Sequence, residues 1–365
     1  MAARAGAERG ATERLKFLDA VRGFALLMMI VNHTARWWQD NAMGWPRYNL
    51  IYVSMAVGAP LFLFLVGFCM PLSFARRRPT GSLASVAGKF LQRGARLVLA
   101  SWLLNFVVFR DEPFWEGGVL QTIGLGIIVA LPAMLVLHRR GARTALLVLA
   151  VGLYVLFSMS YAQVVAWTPL HPVLGRIFLF EFAPWPWVSL VWIGLALGWT
   201  WALLDTPARR VRYLTIMTAV GVACLAALAI WDWQHGTPLH LSLSFKRDFV
   251  VNNHWIPRGV TNFFCLGAVF ISIGLAYYLV EVKRLPAGWL VLLGRTSLML
   301  YFVHHLIVLT LINEWLGWKL DNWWTFAFAN VVLAVVLVYL GKLWLELKSV
   351  VGGRLRRNRP SAVPG

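Results

Sequence analysis

Apolar runs recur along this chain from residue 17 to residue 345, each closed by a short polar or charged connection. A membrane-spanning helix needs about 20 such residues. Ten segments are candidates: 17–35, 48–75, 97–109, 118–137, 144–166, 187–204, 213–231, 259–281, 289–313 and 324–345. The third is short, and a start near Phe90 would lengthen it, with Arg93 and Arg96 at its edge. Hydrocarbon offers backbone groups no water, so runs of this length predict helices. The pattern predicts an all-α, polytopic membrane helix bundle of about ten transmembrane helices over 17–346. A basic tail, 1–16, precedes it and is expected to be disordered; a second basic tail, 347–365, follows. No internal repeat is visible, and no soluble segment is of domain size.

Composition agrees with this picture. The chain is 59% hydrophobic and 13% charged, with a mean hydropathy of +0.67, far from the soluble average. A net charge of +19 raises nucleic acid as a partner. The cations, however, fall in short runs between apolar segments, as in the cytoplasmic connections of a membrane protein. The lipid bilayer is therefore the expected partner and nucleic acid is not. With the N-terminus inside, 23 of the 34 Lys and Arg fall in inside connections, 8 in outside ones and 3 within segments. Both termini are expected to be cytoplasmic, and the protein to sit in a bacterial inner membrane. No removable signal peptide is read, so the first segment is expected to act as its own insertion signal. Cys69, Cys224 and Cys265 lie in apolar runs with no disulfide or metal spacing, which fits small packing residues. Histidines and carboxylates show no ligand spacing either, and no metal is expected.

The first segment carries the densest chemistry. An ionisable side chain inside a membrane helix is costly and points to function. At 100° per residue, Arg22 and His33 lie about 20° apart and Asp19 about 40° from His33, with Asn32 at the edge of that face. Asp19 and Arg22 are an i, i+3 pair able to neutralise each other. His33 stands about 16 Å further along the helix. Such a face offers a cation to hold an anionic group at one end and a base at the other. A snorkelling Arg22, with Asn32 and His33 marking the outer interface, explains the same pattern.

A second cluster, GRTSLMLYFVHH, runs from Gly294 to His305. Ser297 and His304 share a face, and Tyr301 lies one turn before His305. Adjacent histidines cannot point the same way, and His304 is favoured as the one facing the centre.

At these residues a family resemblance appears. LDAVRG and MMIVNHT in the first segment, APLFLFLVGF at 59–68, GVLQTIGLG at 118–126, FAPWPWVSLVWIGLALGW at 182–199 and LLGRTSLMLYFVHH at 292–305 together resemble the heparan-alpha-glucosaminide N-acetyltransferase catalytic-domain family. That family belongs with the transmembrane acyltransferases, alongside the acyltransferase 3 group. The resemblance implies transfer of an acyl group, typically acetyl from acetyl-CoA, to an amino or hydroxyl group of a sugar or glycan on the non-cytoplasmic side. It matches Asn32 and His33 to the family's polar pair, Asp19 and Arg22 to its Asp-x-x-Arg, Gln121 to its fourth-segment Gln and His304 to its late His. Where members often carry Arg after that Gln, this chain has Thr122; Arg93 or Arg96 is then expected to help hold the donor.

The expected mechanism has His33 as general base and Asn32 orienting it or donating to the oxyanion. His171, His254 and Trp255 in the outer loops are expected to hold the acceptor. Direct transfer and an acyl-histidine intermediate stay open, as do N- and O-acylation and the oligomeric state, a homo-oligomer included. The alternatives are an acyltransferase 3-type O-acetylase of surface polysaccharide and a proton-coupled transporter. Transporters often carry inverted repeats and paired broken helices, neither of which is visible here.

Overall fold

The computed structural model describes residues 15–40, 51, 55, 57–77, 82–167, 170–178, 184–235 and 259–357. Among them the only regular elements are helices. In chain order they are α1 Lys16–Trp38, α2 Gly58–Arg77, α3 Leu83–Val107, α4 Val119–Val136, α5 Arg140–Met159, α6 Tyr161–Trp167 and α7 Pro172–Phe178. They continue with α8 Pro184–Ala202, α9 Pro207–His235, α10 Gly259–Tyr277, α11 Gly288–His305 and α12 Trp323–Arg357. Two of them widen into π-helix: α10 through Tyr278–Val282 and α11 through Leu306–Trp315.

Within the described residues each apolar segment overlaps a helix, 144–166 spanning both α5 and α6, while much of 48–57 lies outside the described residues. Among the described residues, seven helices are long and apolar enough to cross a membrane, which makes this a multi-pass membrane protein. The other three long helices are α1, α3 and α8. Charged or Asn-His positions dilute α1 and α3, and Trp and Pro dilute α8. The third segment begins earlier than its apolar run, at Leu83, capped by Ser82, whose side chain accepts from the Ser85 amide at 3.2 Å. Its first half carries Lys89, Arg93 and Arg96 on one face, which hides a helix from a hydropathy window. At the other end α12 runs on to Arg357, past the boundary expected at 346.

Small residues let the helices close up, as membrane packing requires. A Cβ at Gly23 of α1 would collide with the Leu290 carbonyl of α11, and one at Gly294 of α11 with the Asp19 carbonyl of α1. The two backbones therefore cross in direct contact. Gly67 of α2 and Gly194 of α8 do the same for the central pair. Around these crossings the core fills with Phe17, Phe64, Phe68, Trp187 and Trp201, all essentially inaccessible to solvent.

Side chains fix the ends of α1. Glu281, in the first π segment, accepts from the Phe17 amide at 3.1 Å, a carboxylate at a helix N-terminus. At the other end Trp38 donates its indole N–H to the Val308 carbonyl (2.9 Å) in the second π segment. Gln39 pairs with Leu320, through Leu320 N–H to Trp38 O (2.7 Å) and Asp40 N–H to Leu320 O (2.9 Å). Trp38→Phe removes one buried hydrogen bond and part of the packing around a buried indole. Its expected loss is at least about 1 kcal/mol, read as a lower melting temperature in detergent.

Candidate active site

Along α1 the polar residues are held from three sides. Asp19 is 2% exposed and accepts from Arg22 Nη1 at 2.9 Å. The same guanidinium reaches Cys69 Sγ of α2 at 3.0 Å. Arg22 is thus oriented by two partners, and its remaining surface faces a cavity of about 440 Å³. Across that cavity stand Lys89, Arg93 and Arg96 of α3, spaced i, i+4, i+7 on one helix face. Four cations around one cavity make a site for a polyanion.

Eleven residues further on, His33 meets α11. Its Nδ1 lies 3.0 Å from Nε2 of His304, with the rings stacked at 5.2 Å and 10°. The tautomers follow from the neighbours. His304 Nδ1 lies 3.0 Å from the Leu300 carbonyl, which can only accept, so that nitrogen carries the proton and Nε2 presents a lone pair. His33 must then donate from Nδ1, which puts its own lone pair on Nε2. His305 follows the same rule: its Nδ1–H donates to the Tyr301 carbonyl at 2.8 Å. His304 and His305 are buried, whereas His33 is half-buried.

His33, Asn32 and His305 line a second cavity of about 310 Å³, whose wall also includes Asn105, Glu112 and Glu116. Asn105 Nδ2 donates to the carbonyls of Glu116 (3.0 Å) and Phe114 (3.2 Å), fixing the loop after α3. Arg176 of α7 bridges Glu116 (3.0 Å) and Glu112 (3.4 Å). Tyr301 and Val119 line both cavities. The two chambers are therefore neighbours, Arg22 facing one and His33 the other.

Sequence expectation and geometry compare residue by residue. Arg22, Arg93 and Arg96 do share a cavity, joined by Lys89, and Asp19 braces Arg22 from behind. Asn32 and His33 line the other chamber; His304 touches His33 without lining it. Gln121 lines neither. Its Oε1 accepts from Trp102 Nε1 (2.9 Å) and its Nε2 donates to the Ile177 carbonyl (3.2 Å), tying α3, α4 and α7 together. Thr122 is likewise fully buried in helix packing. His171 is exposed, its ring tilted against Trp167 at 4.1 Å, and lines neither chamber. His254 and Trp255 lie outside the described residues.

Of the adjacent pair, the sequence favoured His304 as the residue facing the centre, whereas His305, with Tyr301, lines the chamber and His304 reaches His33; Cys69 and Lys89 were not read as site residues. Lys89 was legible, since its spacing to Arg93 and Arg96 puts all three on one helix face. Cys69 gains its place only from contact with a distant helix.

A basic chamber thus backs onto a histidine-lined polar one inside a membrane helix bundle. The family model described as heparan-alpha-glucosaminide N-acetyltransferase, catalytic, matches residues 14–233. The chain belongs to that family, and with it to the membrane acetyltransferases. The match takes in α1 to α8 and most of α9; α11, with its histidine pair, lies beyond it. No curated protein matches the chain.

Proposed function

We propose that this protein moves an acetyl or longer acyl group from acyl-CoA on the cytosolic side to an amino or hydroxyl group of a sugar or glycan on the far side. One observation carries the reading. Arg22 and His33 sit on one helix, about 16 Å apart along its axis, and face two chambers that meet at Val119 and Tyr301. The basic chamber suits the phosphates of CoA, held by Arg22, Lys89, Arg93 and Arg96. The charge bias of the connections supports a cytosolic mouth for it. The thioester reaches the boundary near Tyr301, and the acceptor binds among Asn32, His33 and Asn105.

The chemistry is acyl transfer. The acceptor nitrogen or oxygen attacks the thioester carbonyl while His33 Nε2 takes its proton. The imidazolium that forms is stabilised by His304 Nε2, which accepts from His33 Nδ1–H. Asn32 orients His33 or donates to the tetrahedral oxyanion. Collapse breaks the C–S bond, CoA leaves as thiolate, and the proton held on His33 passes to it. His304 never meets substrate; it is a positioning residue that sets the tautomer of the base. Gln121 serves by holding α3 and α7 in place, and the acceptor side near α7 includes Arg176 through its bridge to Glu116.

Purified protein in nanodiscs, given acetyl-CoA and a panel of amino sugars and glycans, is expected to release free CoA thiol only when an acceptor is present. A proton-coupled transporter has no reason to bind acyl-CoA, so a chain that neither binds it nor releases thiol sinks the reading. Replacing Arg93 and Arg96 together by Gln is expected to weaken acyl-CoA binding roughly tenfold, the effect of losing about 1.4 kcal/mol of charge-assisted hydrogen bonding. Binding is measured by calorimetry, and kcat at saturating donor is expected to hold.

A further inference from the structure

The base and its positioning partner use two of three clustered imidazoles and leave the third unexplained. His305 is 2% exposed and lines the acceptor chamber, yet it neither takes the acceptor's proton nor sets the tautomer of His33. Its ring lies 4.7 Å from that of His33 and 4.1 Å from that of His304. One nitrogen from each of the three histidines falls within a single sphere, all within 4.8 Å of one another. Both α11 histidines already donate Nδ1–H to backbone carbonyls. That outer contact fixes a metal-binding imidazole with its Nε2 lone pair forward.

We infer that His33, His304 and His305 form a binding site for a divalent transition metal, with Zn²⁺ the ion best suited to it. Three imidazoles without a carboxylate favour zinc over magnesium or calcium, which take oxygen ligands. Tetrahedral Zn–N bonds of about 2.0–2.1 Å put ligand nitrogens about 3.3 Å apart. The His33–His304 pair, at 3.0 Å, is already close to that spacing. The wider separations, up to 4.8 Å, close by rotation of the rings involved, His305 included, as the ion binds. A fourth position then opens to the acceptor chamber, through which the ion enters.

Metal and base cannot coexist at His33. The nitrogen that ligates is Nδ1, the one that donates to His304 when His33 acts as base. When the ion takes the Nδ1 lone pair, the proton of the neutral ring moves to Nε2, where the base needs a lone pair. Bound Zn²⁺ therefore blocks acyl transfer. This second statement rests on the acyltransferase reading; the site itself does not.

Untagged full-length protein, stripped with chelator and held in nanodiscs, is titrated with Co²⁺, whose visible absorption reports tetrahedral nitrogen ligation, and then with Zn²⁺. One equivalent of Co²⁺ is expected to bind, with Zn²⁺ displacing it. His33→Ala, His304→Ala and His305→Gln are each expected to weaken binding by at least about 10–100-fold, the loss that even an outer-shell partner causes. His305→Gln keeps an N–H donor for the Tyr301 carbonyl, so this variant removes the imidazole ligand with the least damage to the helix. No tetrahedral spectrum in the wild type, or a spectrum unchanged in folded His305→Gln, overturns the site. Zn²⁺ bound with acyl transfer undiminished leaves the site standing and overturns His33 as the base. Transfer without metal binding does the reverse.

Discussion

His33→Ala is expected to lower acyl transfer by about 10²–10⁴-fold, the span of a positioned general base, or roughly 3–5 kcal/mol of barrier. Acyl-CoA binding is expected to hold, because the cations of the donor chamber lie on α3 and at the other end of α1. His304 supplies the companion test. Its Nε2 accepts the proton that fixes the His33 tautomer, so His304→Ala frees the ring to present its N–H to the acceptor. The loss is expected to be smaller than for His33→Ala. His304→Gln, whose amide oxygen can accept from Nδ1–H, is expected to recover part of it; a purely packing role predicts no such recovery. Free-thiol release at saturating donor reads the rate, and a melting curve in detergent shows that each variant is folded. A folded His33→Ala protein with unchanged kcat sinks the assignment.

Gly294→Val is expected to prevent folding rather than weaken it. Overpacking a core typically costs about 1–3 kcal/mol, because neighbouring side chains can shift. Here the colliding atom is the Asp19 carbonyl of α1, which is backbone, and Gly23 meets the Leu290 carbonyl of α11 in the same way. Neither helix can yield without separating. Separation would also part His33 from His304, so any protein recovered should lack both stability and activity. The contrast is Gly88→Ala on α3 and Gly152→Ala on α5, where an added Cβ meets nothing within 4 Å. These are expected to be neutral or to stabilise by about 0.5–1 kcal/mol through helix propensity. Yield and melting temperature in detergent separate the two groups. A Gly294→Val protein that melts like the wild type would mean that α1 and α11 do not cross as closely as described.

Much of this was written in the order of residues. The period of α1 puts Asp19, Arg22 and His33 on one face, and the structure keeps them there, divided between two chambers by the length of the helix. Arg93 and Arg96 were expected from the family resemblance, through Thr122 standing where members carry Arg, and they line one cavity with Arg22. What depends on contact between distant segments was not legible. His33 and His304 are 271 residues apart, and no local pattern announces their 3.0 Å approach. Cys69 reads as a packing residue until Arg22 points at it. Gln121 matched a motif position, yet its amide is engaged by Trp102 and Ile177. Hydropathy missed the start of α3 because its cations serve the cavity rather than a loop.

The widened helix after His305 has a consequence for phase. An α-helix carried on from His305 would turn 900° by Glu314 and leave that carboxylate on the opposite side. With i→i+5 bonding, at about 4.4 residues per turn, the same nine steps complete about two full turns. Glu314 returns to within about 15° of His305, and both line one chamber. Gly317, at φ +60°, then ends the wide coil. The slower winding of Leu306–Trp315 thus acts as an angular offset. It lets a single stretch of chain present a histidine at the floor of the chamber and a carboxylate at its rim.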